Sequence, residues 1–246
     1  SDLSSDPSNN SANAAFRTLF QNVTFELLQP SREADESRPS PQIMFITGPS
    51  GIGKSSLLKS IAVLDSFSSG SLELDIPSRG IHFQLHLDSD HANSYTPSLF
   101  TSYGEQYRHW RSEVTYVSQS RIDLPGTPTE LFHTITQIEA QQARNERHVT
   151  EEELLQIAES IGLDEKCLNT SWKMLSGGES QRMGLLMALA TSPSVLLLDE
   201  ITSGCDPVTT SKVERAVLTS GADLVVWVSH DAEQRRRVNG MELDLR

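Results

Sequence analysis

Residues 48–55 read Gly-Pro-Ser-Gly-Ile-Gly-Lys-Ser. They fit the pattern G-x-x-x-x-G-K-[ST] and lie between a predicted buried strand, residues 42–47, and a predicted helix. Glycines let the backbone curl until several N–H groups point at one phosphate, and the following helix adds the positive end of its dipole. We therefore predict a phosphate-binding loop whose nucleotide contacts come from Gly48, Pro49, Ser50, Gly51, Ile52, Gly53, Lys54, Ser55 and Ser56.

Two polar residues, Lys54 and Ser55, stand at the end of this motif. Lys54 is expected to reach the β and γ phosphates of a nucleotide, and the Ser55 hydroxyl is expected to ligate Mg²⁺. A plain glycine turn is the alternative, and the predicted strand and helix on either side of the motif argue against it. This helix is predicted to carry five apolar residues on one side, namely Leu57, Leu58, Ile61, Ala62 and Leu64.

A pair of carboxylates ends a second apolar run, because residues 195–200 read Val-Leu-Leu-Leu-Asp-Glu. Asp199 is placed to hold a Mg²⁺ shell, and Glu200 is placed to polarise an attacking water as general base. An acidic pair after a strand is often only a cap or a loop feature. The phosphate loop in the same chain favours the catalytic interpretation.

Residues 175–182, Leu-Ser-Gly-Gly-Glu-Ser-Gln-Arg, predict a second helix start suited to phosphate. Ser176 and Glu179 have capping-box spacing, and Gly177 and Gly178 occupy the first helical positions. Glycine there costs about 1 kcal/mol per position relative to alanine, so two together need a reason. Close approach of a phosphate to bare N–H groups supplies one, and an ordinary capped helix is the alternative.

Strand and helix patterns alternate in the last third of the chain. This alternation implies a parallel sheet with its ligand site at the carboxyl ends of the strands. The predicted elements there are helix 180–190, strand 195–198, helix 209–219 and strand 224–228.

The middle of the chain has two patterns. Residues 71–117 look strand-like. Residues 125–172 look mostly helical, with one helix that begins at a Thr150 and Glu153 capping box and ends at Gly162.

The composition disfavours several classes of protein. The 246 residues suit one α/β domain, and a formal charge of −13 disfavours nucleic acid as a partner. No apolar run approaches the roughly 20 residues that span a bilayer, so we expect any membrane part to come from another polypeptide.

The chain has two cysteines, Cys167 and Cys205, and we predict that both are free thiols. Residues 1–13 predict a disordered tail and 30–41 an exposed loop, and a first residue other than Met suggests a truncated or processed chain.

The order of the motifs resembles that of the nucleotide-binding domain of ABC ATPases. The phosphate loop, Gln119 in Val-Ser-Gln, Leu-Ser-Gly-Gly, the carboxylate pair and His230 follow one another over about residues 22–231. The resemblance implies an α/β fold with a P-loop NTPase (RecA-like) core, an antiparallel β subdomain and an inserted helical signature-motif subdomain. The implied domain covers 14–246, with core segments at about 14–119 and 190–246 and the helical subdomain at about 120–189.

The same resemblance implies roles for further residues. Gln119 would be the coupling-loop glutamine near Mg²⁺ and the membrane subunit, and His230 would be the switch histidine that touches the γ phosphate. Residues 203–206, which include Cys205, would form a dimer-contact loop. Without the resemblance, a lone histidine at a strand end would be read as a surface or capping residue. The implied catalytic groups are Lys54, Gln119, Glu200 and His230, with Mg²⁺ held by Ser55, Gln119 and Asp199, and ATP also contacted by Ser176, Gly177 and Gly178.

The resemblance further implies a Mg²⁺-dependent ATPase that drives a separate transmembrane permease from the cytoplasmic face of a membrane. Two copies would form a head-to-tail homodimer around two ATP, because the two phosphate-binding helix starts would serve one ATP from opposite protomers. The alternative is a soluble ABC ATPase acting on nucleic acid or ribosomes. Residues 45–50, 195–203 and 226–231 are similar to the ATPase subunit of the bacterial iron-export ABC system, which implies a metal or another small solute as cargo.

Two further groups of residues each keep two interpretations. Phe16 and Phe20 could stack on adenine, although a core role is favoured because the loop at 30–41 disturbs their spacing to the phosphate loop. Residues 81–87 alternate with period two as a half-exposed antiparallel strand, so its histidines are predicted to face solvent. Metal binding is the alternative for the cluster His82, His86, Asp88, Asp90 and His91.

Overall fold

The computed structural model describes residues 40–65, 70–87, 102–137 and 149–246. Its helices are α1 (Lys54–Ile61), α2 (Ser102–Glu113), α3 (Pro128–Thr136), α4 (Glu151–Ser160), α5 (Gly177–Ala190), α6 (Pro207–Leu218) and α7 (Ala232–Val238). Its strands are β1 (Gln42–Thr47), β2 (Gly70–Ile76), β3 (Ile81–Leu87), β4 (Val114–Val117), β5 (Val195–Asp199), β6 (Leu224–Val228) and β7 (Met241–Asp244). The predictions for residues 1–39, which include Phe16 and Phe20, and for Asp88, Asp90 and His91 lie outside the described residues.

The larger sheet is parallel, with the strand order β4-β5-β6-β1-β7. Leu224 of β6 lies opposite Gln42 of β1 on one side and opposite Val195 of β5 on the other. Strands β5 and β6 are apolar along almost their whole length, as strands covered on both faces must be. The predicted α/β fold is confirmed, and the carboxyl ends of β1, β6 and β5 lie side by side, where such folds bind ligands.

Helices cover both faces of this sheet. Successive residues of one strand, such as Phe45 and Ile46, point to opposite faces. The cluster on the first face, called face A, contains Phe45, Leu154, Met183, Leu186 and Trp227. The cluster on the other, called face B, contains Ile46, Leu57, Leu58 and Val228. Helix α5 therefore packs on face A, and helix α1 packs on face B.

Strands β2 and β3 form a separate antiparallel sheet, with Gly70 opposite Leu87 and Ile76 opposite Ile81. Leu74, Ile76 and Leu85 of this sheet belong to the face B cluster. The predicted antiparallel strand at 81–87 is confirmed, and its His82 is exposed with Nδ1 3.7 Å from Asp75 Oδ1. The solvent-facing interpretation therefore holds for His82. Within the described ranges, no group of three or more His, Cys, Asp and Glu side chains could hold a metal ion.

The prediction of strand-like structure across 71–117 is wrong for residues 102–113, which form α2. Trp110 of this helix is buried in the face B cluster, and its Nε1 donates to the Ile61 carbonyl oxygen at 2.8 Å. Tyr107, three residues earlier, packs against the same cluster. Helical spacing puts both aromatic rings on one side, and this packing outweighs their preference for strands.

Two more helix predictions can be compared with the structure. The capping box of Thr150 and Glu153 starts α4 as predicted, and Gly162 follows its end with φ 74°. The prediction that Leu64 lies on the apolar side of α1 is wrong, because α1 ends at Ile61 and a turn through Val63, with φ 55°, leaves Leu64 53% exposed.

The last two elements, α7 and β7, were not predicted. β7 pairs in parallel with β1 at the edge of the sheet, and its sequence, Met-Glu-Leu-Asp, is half polar, as an edge strand tolerates. The division into a core and a helical subdomain at 120 and 189 stays a prediction. Among the residues with a described structure, no helix combines the length and the apolar character needed to span a bilayer.

Candidate active site

The glycine-rich loop joins β1 to α1 at the carboxyl edge of the sheet. Gly53 caps α1 with φ 111° and offers no side chain, so the first N–H groups of the helix stay open to a ligand. A Cβ at Gly48, where φ is 138°, would lie 2.5 Å from the Leu245 carbonyl oxygen. Lys54 is buried and its Nζ donates to the carbonyl oxygens of Gly48 and Pro49, both at 3.0 Å. The loop thus holds an ammonium group directly beside its amide groups, an arrangement suited to phosphate.

Asp199 ends β5 with a carboxylate that is almost fully buried, at 3% exposure. Its Oδ2 accepts a hydrogen bond from the Tyr116 hydroxyl at 2.9 Å, whereas its Oδ1 is buried without a hydrogen-bond partner. A buried carboxylate oxygen without a partner is costly, and an oxygen-preferring cation would satisfy it. The residues therefore fit Mg²⁺ at this position.

Tyr116 was not predicted as a site residue. Burial, followed by the negative charge of Asp199 and its hydrogen bond, raises the pKa of the Tyr116 hydroxyl far above its ordinary value. The hydroxyl therefore stays protonated and keeps donating to the carboxylate. A signal existed in the sequence, since Tyr116 lies on a strand only three residues before Gln119.

Two side chains from separate loops contact the Glu200 carboxylate. Gln119 Nε2 donates to Glu200 Oε2 at 2.9 Å, and His230 Nε2 lies 2.9 Å from Glu200 Oε1. The backbone of Glu200 is left-handed, with φ 49°, and its N–H donates to the Val228 carbonyl oxygen at 3.0 Å. Three residues predicted as catalytic therefore meet at one carboxylate. A carboxylate oriented in this way can accept a proton from water.

The second glycine-rich helix start has the predicted capping box. Ser176 N–H donates to Glu179 Oε2 at 2.8 Å, and Glu179 N–H donates to Ser176 Oγ at 3.3 Å. The Ser176 N–H and the Ser176 hydroxyl both donate to Glu179 Oε2 and lower the pKa of the Glu179 carboxyl. A Cβ at Gly177 would meet nothing within 4 Å, and one at Gly178 would lie 3.3 Å from Arg182 Nη1. The first turn of α5 therefore presents open backbone amides to the outside.

Helix α5 is also bonded to the loop that carries Gln119. The Gln181 side-chain amide donates to the Gln119 carbonyl oxygen, and the N–H of Ile122 donates to Ser180 Oγ at 3.0 Å. Gln181 and Ser180 were not predicted as site residues, because these contacts join segments about sixty residues apart. The second glycine pair and Gln119 are therefore mechanically connected within one chain.

The loop at 203–206 ends at Asp206, which caps α6 by accepting from the N–H groups of Val208 and Thr209. Cys205 Sγ lies 3.9 Å from Arg182 Nη1, and both cysteines are free thiols as predicted. A cavity of about 520 Å³ opens beside this loop. It is lined by Glu200, Thr202, Ser203, Cys205, Pro207, Thr210, Ser211, Ser229, His230, Asp231 and Arg237.

A family model described as "ABC transporter" matches residues 35–203, which is more than half of the chain. The chain belongs to this ABC transporter family. It is accordingly an ABC-type ATP-binding protein with a P-loop ATP hydrolase domain. The resemblance to ABC ATPases that the motif order indicates is confirmed.

Curated members of the ABC transporter family are similar to this chain over most of its length. A putative ABC transporter ATP-binding protein of Bacillus subtilis (strain 168), YjkB, is 28% identical, covering 80% of this chain and 67% of that protein. The probable iron export ATP-binding protein FetA of Escherichia coli (strain K12) is 31% identical, covering 78% and 74%. The methionine import ATP-binding protein MetN of Corynebacterium jeikeium (strain K411) is 30% identical, covering 94% and 58%.

Solved ABC cassettes share the fold. The dimeric post-hydrolysis state of the ATP-binding cassette MJ0796 with ADP and Pi has a TM-score of 0.59 at 24% identity, covering 82% of this chain and 80% of that one. The expected P-loop NTPase fold, with its parallel sheet and small antiparallel sheet, is confirmed. The roles expected for the individual site residues stay predictions.

Proposed function

We propose that two copies of this chain form a head-to-tail homodimer that binds and hydrolyses two Mg²⁺-ATP, and that this dimer drives a separate membrane permease for a small solute. The observation that carries the proposal is the position of the two glycine-rich helix starts. Helix α1 packs on face B of the sheet through Leu57 and Leu58, and helix α5 packs on face A through Met183 and Leu186.

This arrangement separates two groups that both suit a phosphate. Each helix begins with open backbone amides at a glycine, Gly53 for α1 and Gly177 for α5. Because the sheet lies between the two helices, one triphosphate on a single chain is not expected to reach both. A two-fold dimer resolves this, since each ATP then contacts the loop at 48–55 of one copy and Ser176, Gly177 and Gly178 of the other.

The chemistry proposed for this site follows from its donors and carboxylates. Lys54 would leave the carbonyl oxygens of Gly48 and Pro49 and bind the β and γ phosphates. Ser55, Gln119 and Asp199 would hold Mg²⁺, which when bound neutralises charge on the phosphates. The unpartnered Oδ1 of Asp199 supports this assignment.

Glu200 would act as the general base. An attacking water would pass a proton to a Glu200 carboxylate oxygen as its own oxygen bonds to the γ phosphorus, and the bond to the bridging oxygen would break to release ADP. Gln119 and His230 orient the carboxylate in the structure, and His230 would then contact the γ phosphate. Product charge would weaken the contacts between copies and let the dimer open.

The proposed permease contact lies next to Gln119. Arg121 Nη2 donates to the Trp172 carbonyl oxygen at 3.2 Å, which joins the loop after Gln119 to the loop before α5. Each loop exposes a large apolar side chain, Leu124 and Met174, the latter 77% exposed. Exposed apolar groups of this kind suit a protein partner. The names of relatives as import or export ATP-binding proteins support a peripheral place on the cytoplasmic face of a membrane.

The catalytic part of the proposal is tested by Lys54→Ala, with Lys59→Ala on the same helix as the matched control. Removing one preorganised cationic donor to the phosphates should lower Mg²⁺-dependent ATP turnover by roughly 100-fold or more. Phosphate release measured at saturating ATP should fall for Lys54→Ala and stay within about twofold for the control. Equal turnover of Lys54→Ala and the wild type would refute the site.

The dimer and the partner are tested separately. Glu200→Gln keeps the size of the side chain but removes the base, so turnover should fall by about 100-fold or more while the dimer persists with Mg²⁺-ATP. Sedimentation with and without nucleotide measures this, and a variant that remains monomeric would contradict the dimer.

The proposed partner is tested with native protein: chain purified from membranes should co-purify with a polytopic membrane protein. Co-purification with RNA or DNA would instead favour the soluble alternative.

A further inference from the structure

Gln234 is a polar side chain that is completely buried, at 0% exposure, inside α7. Its side-chain oxygen accepts from the Ser229 hydroxyl at 2.6 Å, and its side-chain nitrogen donates to Glu214 Oε1 at 3.3 Å. The Thr202 hydroxyl oxygen lies 3.1 Å from the same nitrogen and 3.2 Å from the same oxygen. The amide is therefore satisfied at both ends, by three residues from three different segments.

Two of these partners lie next to the proposed catalytic groups. Thr202 is two residues after Glu200, in a turn whose Ser203 N–H donates to the Glu200 carbonyl oxygen at 3.1 Å. Ser229 directly precedes His230 and is itself buried. Gln234 thus joins the loop that carries the carboxylate to the loop that carries the histidine.

The third partner connects this pair of loops to α6. Glu214 is buried, and Arg237 binds it with Nη2 2.7 Å from Oε1 and Nε 3.2 Å from Oε2. Arg237 Nη2 also lies 3.8 Å from Asp231 Oδ2. Since α6 begins directly after the loop at 203–206, this network also holds the helix that follows the proposed dimer-contact loop.

The chemistry of this position calls for an amide. The group must accept a hydrogen bond at one end and donate to a carboxylate at the other, which a glutamine side chain does and an ionised carboxylate does not. An apolar side chain of the same length would leave the hydroxyls of Ser229 and Thr202 without one partner each, in a buried place where that is costly.

We propose that Gln234 is a positioning residue for ATP hydrolysis, which holds Glu200 and His230 at the spacing that their shared contact requires. The inference rests on the proposed roles of Glu200 and His230. The Gln234 partners Thr202 and Ser229 line the cavity beside Glu200, and Gln234 acts only through the loops that carry them. Its loss should therefore slow turnover without weakening the binding of ATP.

The test compares Gln234→Leu with Gln156→Leu, the same change at an exposed position of α4. Displacement of a catalytic group by about 1 Å can cost up to 100-fold in rate, so kcat of Gln234→Leu should fall about 10-fold to 100-fold. The dissociation constant of Mg²⁺-ATP should change by no more than about twofold, because no nucleotide contact is removed. The control should keep both values, and a folded Gln234→Leu with unchanged kcat would overturn the inference.

Two further variants keep the inference testable if Gln234→Leu does not fold. Thr202→Val removes one hydroxyl from the same network and should lower kcat in the same sense. Gln234→Glu places a second carboxyl against Glu214, with Arg237 and Asp231 the other charged groups nearby. Like charges favour protonation, and the protonated carboxyl again donates, so kcat of Gln234→Glu relative to wild type should rise from about pH 8 to about pH 6.

The outcomes separate this inference from the proposed function. If Glu200→Gln keeps normal turnover, the proposed general base is wrong and the role of Gln234 falls with it. If Glu200→Gln stops turnover while Thr202→Val and Gln234→Glu are both normal at every pH, the base stands and only the positioning role is wrong. A parallel loss of ATP binding and kcat would also overturn it, since that pattern indicates general disorder of the site.

Discussion

The hydrogen bond between Tyr116 and Asp199 allows a direct test of the cation site. The substitution Tyr116→Phe removes one hydroxyl and leaves the ring, so the carboxylate at the end of β5 loses the donor that lies 2.9 Å from Oδ2. Because Oδ1 is already without a hydrogen-bond partner, both carboxylate oxygens of Asp199 would then lack one, and this residue is only 3% exposed. The free protein should therefore lose stability.

The size of the stability loss is set by the hydrogen bond that Tyr116→Phe removes. A hydrogen bond to a charged group contributes about 1.5–3 kcal/mol, and burial means that water does not replace it. For a chain of this size, about 1 kcal/mol changes the melting temperature by about 2–4 °C. Tyr116→Phe should thus lower the melting temperature by roughly 3–12 °C in EDTA.

The assay is thermal melting in EDTA and again with Mg²⁺ and a non-hydrolysable ATP analogue. A cation bound to Asp199 neutralises the carboxylate, so the difference in melting temperature between the variant and the wild type should be smaller with Mg²⁺ and the analogue than in EDTA. In an Asp199→Asn background, the cost of Tyr116→Phe should fall to about 1 kcal/mol, the value for a neutral hydrogen bond. Equal melting temperatures in EDTA would contradict the hydrogen bond between Tyr116 and Asp199, and a difference that Mg²⁺ does not reduce would contradict the cation site.

Two glycines and the Tyr116 hydroxyl provide further tests of this site. Gly177→Ala meets no atom within 4 Å, so the free chain should keep its stability within about 1 kcal/mol while sedimentation shows no ATP-dependent dimer. Gly48→Ala, at φ 138° and 2.5 Å from the Leu245 oxygen, should lower the free energy of unfolding in urea by about 2 kcal/mol or more. The pKa of the Tyr116 hydroxyl is raised above its ordinary 10.0, so the stability that this hydroxyl contributes is complete below pH 10 and is lost as the pH rises. The free energy of unfolding in urea should therefore fall less between about pH 9 and pH 11 for Tyr116→Phe than for wild type.

Local patterns in the sequence were sufficient for part of this protein. The strand at 42–47, the glycine loop and the capping boxes at Thr150 and Ser176 involve residues within a few positions of one another. Backbone conformation and short-range hydrogen bonds determine such features, so they can be read without knowing the fold. The order of these motifs was also enough to identify the family.

The contacts between side chains at the site depend on the tertiary fold. Tyr116 reaches Asp199 across 83 residues of sequence, Gln119 reaches Glu200 across 81, and Gln234 bridges segments that share no local pattern. The helix α2 before Val114 also depends on the fold, because Trp110 is buried there in the face B cluster and donates a hydrogen bond to Ile61. The physical reason is that neighbouring strands of a parallel sheet bring their carboxyl ends together whatever their separation in the chain. Contacts made at that edge depend on strand order and register, which no short stretch of residues encodes.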